Sequence, residues 1–232
     1  MLGSSNYHGD LAYNIVPKET HFSGGAFLKY NFNEYWTMRP TLSYLKISGA
    51  DSNFEEYKLR NLSFRNSLYE FSNVMEFNFQ SFSNRAIHNK TSVYALFGIA
   101  LFMHKPEAMF NDEWVELRPL RTEKQRYRLV QLSIPVGVGV KHAIAPNLVV
   151  GFEAGWRKTF TDYLDDVSTI YSDLQDGGAA YRSLADRSYE VSESGSSLAS
   201  EGDVRGDPNL KDWYFQTAFS ISYRFTPIQC PF

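Results

Sequence analysis

The stretch SLYEFSNVMEFNFQ, residues 67–80, decides the fold class because its side chains alternate in character along the chain. The apolar residues of this stretch fall on one side: Tyr69, Phe71, Met75, Phe77 and Phe79. The polar ones fall on the other: Glu70, Ser72, Glu76 and Asn78. A period of two residues is that of a β-strand with two different faces. The stretch therefore predicts a strand with one broad aromatic face and one small polar face.

Seven further segments predict strands in the same way, although residues 92–104 are apolar on both faces and leave their orientation open. These segments are residues 1–8, 21–30, 36–44, 92–104, 129–141, 148–157 and 213–225. The connections run long (9–20), short (31–34), long (49–65), medium (81–91), long (105–127), short (142–147) and very long (161–212). Long loops that alternate with short turns are typical of outer-membrane barrels, whose periplasmic turns are short.

Together these patterns predict an eight-stranded antiparallel up-and-down transmembrane β-barrel that forms a single domain over residues 1–232. Residues 161–212 are the expected long extracellular loop, and residues 226–232 are the expected periplasmic tail. The run Tyr223 to Phe225 near the end resembles the aromatic terminal signal of such barrels. Residue 1 leads directly into the first strand, so we expect a signal peptide that the numbering leaves out.

The composition agrees with a membrane barrel and disfavours some other classes. Aromatic residues make up 16% of the 232 residues, which aromatic girdles at two membrane interfaces would explain. A formal net charge of -3 argues against a nucleic-acid-binding protein. No apolar run approaches the roughly 18 residues of a transmembrane helix.

The polar faces carry small residues and charges of both signs, which a narrow lumen must pair. We predict an interior network that closes the lumen, made of Lys29, Arg39, Glu70, Glu76, Glu153, Arg157 and Arg224. A plugged interior is expected rather than an open pore.

Few residues suggest chemistry. Asp162, Asp165 and Asp166 lie close enough in sequence to bind a hard cation such as Ca²⁺, but capping of turns and pairing with basic residues is the favoured interpretation. The five histidines lack the spacing of metal ligands, and no catalytic residue, metal or cofactor is predicted. Residues 172–212 are rich in Ser, Gly, Asp and Glu and predict a solvated, partly mobile loop.

Cys230 is the single cysteine, so in an exported protein it is either an inert thiol or the site of an intermolecular disulfide. The barrel topology puts it in the periplasm, where we hypothesise a link to a partner.

Two stretches, GSSNYHGDL (residues 3–11) and RKTFTDYLDDVS (residues 157–168), resemble the signatures of PorG-type barrels of the type IX secretion system of Bacteroidota. This resemblance implies a non-enzymatic role and association with the periplasmic ring built by the PorK lipoprotein and PorN. The ring would contact the short-turn side, at Asn33, Glu34, Arg85, His88, Lys90, Pro146 and Cys230.

Two alternatives remain open. One is a lipid-modifying enzyme, which would need a Ser, a His and an acid that converge on the lipid-facing side or the outer rim, and His21 and His104 are the histidines whose substitution would test it. The other is a narrow channel or ligand-binding barrel, which needs an open lumen.

Overall fold

Ten strands and two short helices form in the described part of the chain, which comprises residues 1–82, 90–174 and 177–225 of a computed structural model. The strands are β1 (Leu2–His8), β2 (His21–Phe27), β3 (Tyr30–Asn31), β4 (Trp36–Ala50), β5 (Ser63–Asn78), β6 (Thr91–Phe110), β7 (Glu113–Glu116), β8 (Val130–Ala145), β9 (Leu148–Thr159) and β10 (Trp213–Tyr223). The helices are α1 (Leu117–Leu120) and α2 (Ala179–Ala185), and the 3₁₀ segments are Pro17–Glu19, Asp51–Asn53, Glu55–Tyr57 and Ser188–Glu190. None of the described helices is long and apolar enough to cross a membrane.

The sheet closes on itself because the first strand pairs with both the second and the last. Leu2 pairs with Gly24 of β2 and with Phe219 of β10, and every other neighbouring pair is also antiparallel. Since β3 continues β2 along β4, and β7 only extends β6 as a hairpin, the barrel has eight walls. The predicted eight-stranded antiparallel barrel is therefore confirmed.

The faces of the strands are arranged with the apolar side outward. In β5, Glu70 and Glu76 are buried in the lumen, whereas Tyr69 and Phe71 are more than half exposed. Val138 and Trp156 are exposed as well. A soluble barrel would bury these aromatic and aliphatic side chains, so the arrangement is that of a barrel surrounded by lipid.

In β6, whose sequence is apolar on both faces, the structure shows which side chains face lipid and which face the lumen. Phe97 and Ile99 point outward, whereas Tyr94 and Phe102 are buried inside the barrel. Two aromatic side chains therefore occupy lumen space, and for Tyr94 a small residue on the neighbouring strand β8 leaves room. Gly139 lies opposite Tyr94, and a Cβ atom at that position would lie 2.4 Å from the Tyr94 ring.

Aromatic residues mark the two edges of the outer apolar band. Trp36 pairs with Phe77, and eight residues further along β4 Tyr44 pairs with Tyr69. Eight residues at about 3.4 Å each, in strands tilted by about 40°, span roughly 20 Å, close to the apolar height of about 25 Å of such barrels.

Beyond Tyr44 the polarity of the strands inverts. Leu45 and Ile47 are fully buried inside the barrel, while Lys46 faces outward. In the paired strand β5, Leu68 is likewise buried and Ser67 is on the outer side. This part of the barrel therefore has the pattern of a barrel in water, and the row of Tyr44 and Tyr69 marks the boundary.

The long connections lie at the end of the barrel that carries this inversion, and we call that end the long-loop end. The connections 9–20, 51–62, 111–129 and 160–212 fold together there into a cap. Its buried apolar side chains include Leu11, Phe54, Leu62, Leu117, Leu164, Val167 and Leu184. The opposite, short-turn end carries the connections 32–35, 79–90 and 146–147, of which residues 83–89 lie outside the described residues.

Part of the segment that was expected to be a solvated loop is ordered. Residues 179–185 form α2, which buries Tyr181, Leu184 and Ala185 against the rest of the cap. The expectation of a solvated, partly mobile loop is wrong for this part of 172–212, because a few apolar residues within a polar composition suffice to dock a helix. Most residues of 192–203 are exposed.

Candidate functional site

The lumen near the short-turn end is centred on one carboxylate. Glu76 of β5 is fully buried and forms ion pairs with three basic side chains. The distances to its carboxylate oxygens are 2.8 Å from the Lys29 Nζ atom, 3.1 Å from the Arg39 Nη1 atom and 3.2 Å from the Lys141 Nζ atom. Lys29 follows β2, Arg39 lies on β4 and Lys141 lies on β8. One side chain therefore joins four walls of the barrel.

A second carboxylate extends this cluster across the lumen. The Arg39 guanidinium also donates to Glu153 of β9, with the Nη2 atom 3.0 Å from Oε1. The Tyr94 hydroxyl donates to the same carboxylate at 2.9 Å. Because β4 and β9 have three walls between them in either direction, the Arg39–Glu153 pair spans the diameter of the barrel.

A further group lies toward the long-loop end. Arg157 of β9 donates to Gln216 and lies 3.6 Å from the Glu70 carboxylate, measured from its Nε atom. The Tyr214 hydroxyl of β10 donates to Glu70 of β5, again between walls on opposite sides. Four cations and three carboxylates among the described residues thus form what we call the lumen network: Lys29, Arg39, Lys141, Arg157, Glu70, Glu76 and Glu153.

Six of the seven predicted interior residues lie in this network, and Arg224 does not. Arg224 is exposed at the short-turn end, and its backbone N–H donates to the carbonyl of Asn147. Its assignment to the lumen was wrong because β10 ends at Tyr223, so the alternation no longer directs the next side chain inward. Lys141 was missed as a network member, although its place on the polar face of residues 129–141 was a usable signal.

In the cap, the acidic cluster separates into different environments. Asp165 and Asp212 both bond the Tyr7 hydroxyl, at 2.7 and 2.6 Å. The Tyr7 hydroxyl therefore lies between two carboxyls and links the end of β1 to two parts of the 160–212 connection. Burial, together with repulsion from neighbouring carboxylates, raises the pKa of both Asp165 and Asp212.

The other two members of the cluster bond different groups. Asp166 accepts from the hydroxyls of Thr122 and Tyr127, and burial raises its pKa to about 6. Asp162 accepts from the Ser168 hydroxyl at 2.6 Å, and burial raises its pKa to about 6 as well. Among the described residues, no group of three or more His, Cys, Asp or Glu side chains is arranged to hold a metal ion. The geometry fits hydroxyl bonding and turn capping better than the Ca²⁺ alternative.

Two arginines that the sequence did not single out hold the cap together. Arg60 pairs with Asp51 at 2.6 Å and donates to the carbonyls of Asp10 and Arg205. Arg205 is buried, pairs with Glu123 at 2.8 Å and donates to the Asp166 carbonyl at 2.6 Å. Except for the Arg60–Asp51 pair, which is nine residues apart, these contacts join residues far apart in sequence, so local spacing does not indicate them.

The predicted partner-binding residues that are described lie at the short-turn end. The Asn33 side-chain oxygen accepts from the backbone N–H groups of Tyr35 and Trp36, both at 2.8 Å, which fixes the first turn. Glu34, Lys90 and Pro146 are exposed at the same end. The other three, Arg85, His88 and Cys230, lie outside the described residues.

One histidine contacts a serine. The His21 Nε2 atom lies 2.6 Å from the Ser48 hydroxyl, which also bonds the Glu19 carboxylate. This group lies where the cap meets β2 and β4. His104 is buried and bonds Asn66 and a backbone carbonyl. The Ser–His contact is therefore made by His21.

A family model described as "Domain of unknown function (DUF6089)" matches residues 1–179. No curated protein matches the sequence. Among solved structures, Ail, the attachment invasion locus protein of Yersinia pestis, is similar at 15% identity over 97% of this chain and 93% of its own, with a TM-score of 0.41. Neisserial surface protein A is similar at 10% identity over 96% of this chain and 93% of its own, with a TM-score of 0.43. CarO of Acinetobacter baumannii is similar at 10% identity over 97% of this chain and 96% of its own, with a TM-score of 0.36.

Proposed function

The chain belongs to the DUF6089 family, and from its geometry we propose that it is an outer-membrane barrel that serves as a non-enzymatic docking component. Its apolar outer band supports a place in a bilayer, and the long loops are assigned to the extracellular side by the usual rule for such barrels. The short turns then face the periplasm.

The observation that carries this proposal is the closure of the lumen. The Arg39–Glu153 pair crosses the barrel at its diameter, and Glu76 holds three more walls together beside it. Large aromatic side chains, among them Tyr94 and Tyr214, fill much of the remaining width. An ion that passed through would have to break buried pairs, so the function is expected at the two ends of the barrel.

The partner proposed for the short-turn end is a periplasmic ring of the type IX secretion system, with PorK-like and PorN-like components. The support is the resemblance in residues 3–11 and 157–168, together with the hydrogen bonds that hold the backbone of Glu34 and Lys90 at this end. The carbonyl of Glu34 accepts from the Asn78 side chain and from the backbone of Phe82, and the carbonyl of Lys90 accepts from the backbone of Ala143. A backbone that is already fixed loses little entropy on binding, while the Glu34 and Lys90 side chains remain exposed.

A pull-down from detergent-solubilised membranes tests the docking role. The charge-reversal variant Glu34→Lys/Lys90→Glu is expected to lose the ring components from the eluate. Glu201→Lys, which changes an exposed charge at the opposite end, is the matched control and is expected to retain them. Equal capture by the two variants, at equal amounts of folded barrel, would refute docking through these turns.

The proposed covalent link through Cys230 is tested separately on non-reducing gels of native membranes. A higher-mass band that disappears in Cys230→Ser supports the disulfide. A band that stays at monomer mass removes the disulfide and leaves non-covalent docking untouched.

The contact between His21 and Ser48 favours one second candidate, a lipid-modifying enzyme. A serine within hydrogen-bonding distance of a histidine is the first requirement of nucleophilic catalysis. In a serine triad, however, the acid orients the histidine, whereas here Glu19 bonds the serine hydroxyl. Mass spectrometry of outer-membrane lipids from Ser48→Ala and His21→Gln strains decides the matter: the same altered lipid in both strains supports an enzyme, and an unchanged profile eliminates it.

A further inference from the structure

The outer surface of β4, β5 and β6 carries a groove. Outward side chains pair across these strands in rows: one row is Leu42, Phe71 and Leu101, and the next row toward the long-loop end is Tyr44, Tyr69 and Met103. A cavity of about 640 Å³ lies between the two rows, with the intervening backbone as its floor. Gly24 pairs with Tyr44 and presents no side chain, so the groove continues onto β2.

The groove lies within the apolar band and its walls are hydrocarbon and aromatic. Leu42, Tyr69 and Leu101 are each about half or more exposed, so they meet the surrounding solvent, which in a membrane is lipid. The rows run perpendicular to strands that tilt by about 40° in barrels of this kind, so the groove is inclined to the membrane plane. An inclined apolar slot of this size fits an acyl chain whose upper end reaches the membrane interface.

The next row toward the long-loop end is basic. Lys46 pairs with Ser67, and Ser67 pairs with Lys105. The Cα atoms of the two lysines are two strand spacings apart, roughly 10 Å, a distance across which two lysine side chains can approach one phosphate. The Tyr44 hydroxyl bonds the Ser67 hydroxyl at 3.3 Å, so the polar edge of the groove begins at this row.

The charges around this row leave a positive excess. Lys105 lies 3.3 Å from Glu107 and 3.7 Å from Glu116, and Arg65 pairs with Glu107 as well. Within the described part of the chain, no carboxylate pairs with Lys46, and exposed Arg128 stands two residues before Val130 at the end of the groove. Three cations on this row and the next (Lys46, Arg65, Lys105) thus face two carboxylates (Glu107, Glu116), an excess of one in a chain whose overall charge is -3.

From the groove and the basic row together, we propose that the outer wall of β4–β6 binds one phosphate-bearing lipid of the leaflet at the long-loop end. One acyl chain lies between the rows of Leu42 and Tyr44, and the phosphate lies between Lys46 and Lys105. This site lies on the outside of the wall and is independent of the docking role proposed for the short-turn end.

The opposite wall provides a matched control. Lys158 of β9 is also an exposed cation on the outer side, and it lies over the Trp213 ring with its Nζ atom 5.7 Å from the ring centroid. None of its neighbours lines the groove. Charge alone would give Lys158 the same affinity for phosphate as Lys46, whereas the proposed site needs charge and groove together.

Native mass spectrometry of the full chain released from detergent tests the proposal, with dioleoyl phosphatidylglycerol and dioleoyl phosphatidylcholine as probes. We expect retention of phosphatidylglycerol, and a loss of about fivefold in affinity per lysine in Lys46→Gln/Lys105→Gln, roughly 25-fold for both. Lys158→Gln is expected to bind like the unchanged chain. Equal binding of the two lipids, an unaffected double variant, or an equal loss in Lys158→Gln would each overturn the site.

A chain-length comparison tests the groove without any substitution. Dihexanoyl phosphatidylglycerol carries the same headgroup on chains too short to fill the groove, so we expect it to bind much more weakly than the dioleoyl lipid in the unchanged chain. If both bind alike, the groove takes no part and the proposal fails.

Discussion

Glu76→Gln is the substitution that most directly tests whether charges hold the lumen closed. The change keeps the shape of the side chain but removes the charge that Lys29, Arg39 and Lys141 share at 2.8, 3.1 and 3.2 Å. Arg39 retains Glu153, and Lys29 is partly exposed and can turn toward solvent. Lys141 is buried and has no second carboxylate within the described residues, so most of the cost is expected there.

The magnitude follows from leaving a buried charge unpaired, which costs about 3–5 kcal/mol. That is a change of roughly 10² to 10³·⁵ in the ratio of folded to unfolded protein, at about 1.4 kcal/mol per factor of ten. With a urea dependence of about 2 kcal/mol per M, the unfolding midpoint falls by roughly 2 M. The matched control is Glu55→Gln, which breaks the exposed pair with Lys58 and is expected to cost about 1 kcal/mol or less.

The assay is urea unfolding of the barrel in lipid vesicles, followed by the shift in gel mobility between folded and heat-unfolded barrels. The double variant Glu76→Gln/Lys141→Met removes both charges of one pair, and we expect it to regain about half of the lost midpoint. If the single variant unfolds at the wild-type midpoint, or if the double variant is weaker than the single one, pairing of charges does not hold the lumen closed.

Three further predictions concern the cap and the packing of the lumen. Burial raises the pKa of Asp10 to about 7 and that of Asp166 to about 6. Both values lie above the unfolded value near 3.8, so the protonated carboxyls stabilise the folded cap at low pH, and this stabilisation is lost between about pH 4 and pH 7. Cleavage of the cap by proteinase K, corrected with an unfolded substrate, should accordingly be faster at pH 8 than at pH 5, and equal corrected rates would contradict the assignment. Arg205→Met leaves the buried Glu123 carboxylate without its ion-pair partner, at a cost of about 3–5 kcal/mol. We therefore expect cleavage within residues 192–203 while the gel shift of the barrel persists. A cap as resistant to proteinase K as before would show that this arginine does not hold it. Gly139→Val places a Cβ atom 2.4 Å from the Tyr94 ring, and overpacking of about 1–3 kcal/mol should lower the urea midpoint of the whole barrel, whereas an unchanged midpoint would mean that the ring moves freely.

The strands could be predicted from the sequence, but their upper ends could not, and the reason is the inversion of polarity. The segment 36–44 was predicted because its apolar residues face lipid, yet β4 continues to Ala50. Past Tyr44 the apolar residues are Leu45 and Ile47, which face inward, so the alternation changes phase while the strand goes on. A strand predicted from a single alternation of apolar and polar residues therefore stops at Tyr44, where the outer face passes from lipid to water.

The members of the lumen network were predictable as a set, whereas their partners were not. A charged residue on the polar face of a lipid-exposed strand must point inward, which places Arg39 and Glu153 in the lumen. Whether they meet depends on how the sheet closes, since 114 residues separate them in the chain. The contacts of the cap were even less predictable. Arg205 and Glu123 lie 82 residues apart in two different loops, and neither loop has a periodic pattern.

The inversion of polarity also fixes how deep the barrel lies in its membrane. On β4 and β5, apolar side chains face outward on the short-turn side of the row of Tyr44 and Tyr69 and inward on its long-loop side. Moving the barrel outward by one row would expose Leu42 and Phe71 to water, and moving it inward would bury Lys46 and Lys105 in hydrocarbon. A lysine at the bilayer midplane costs about 2–4 kcal/mol and much less near the interface. The basic row therefore lies at the interface because both displacements are unfavourable, and it is at this depth that a lipid phosphate meets it.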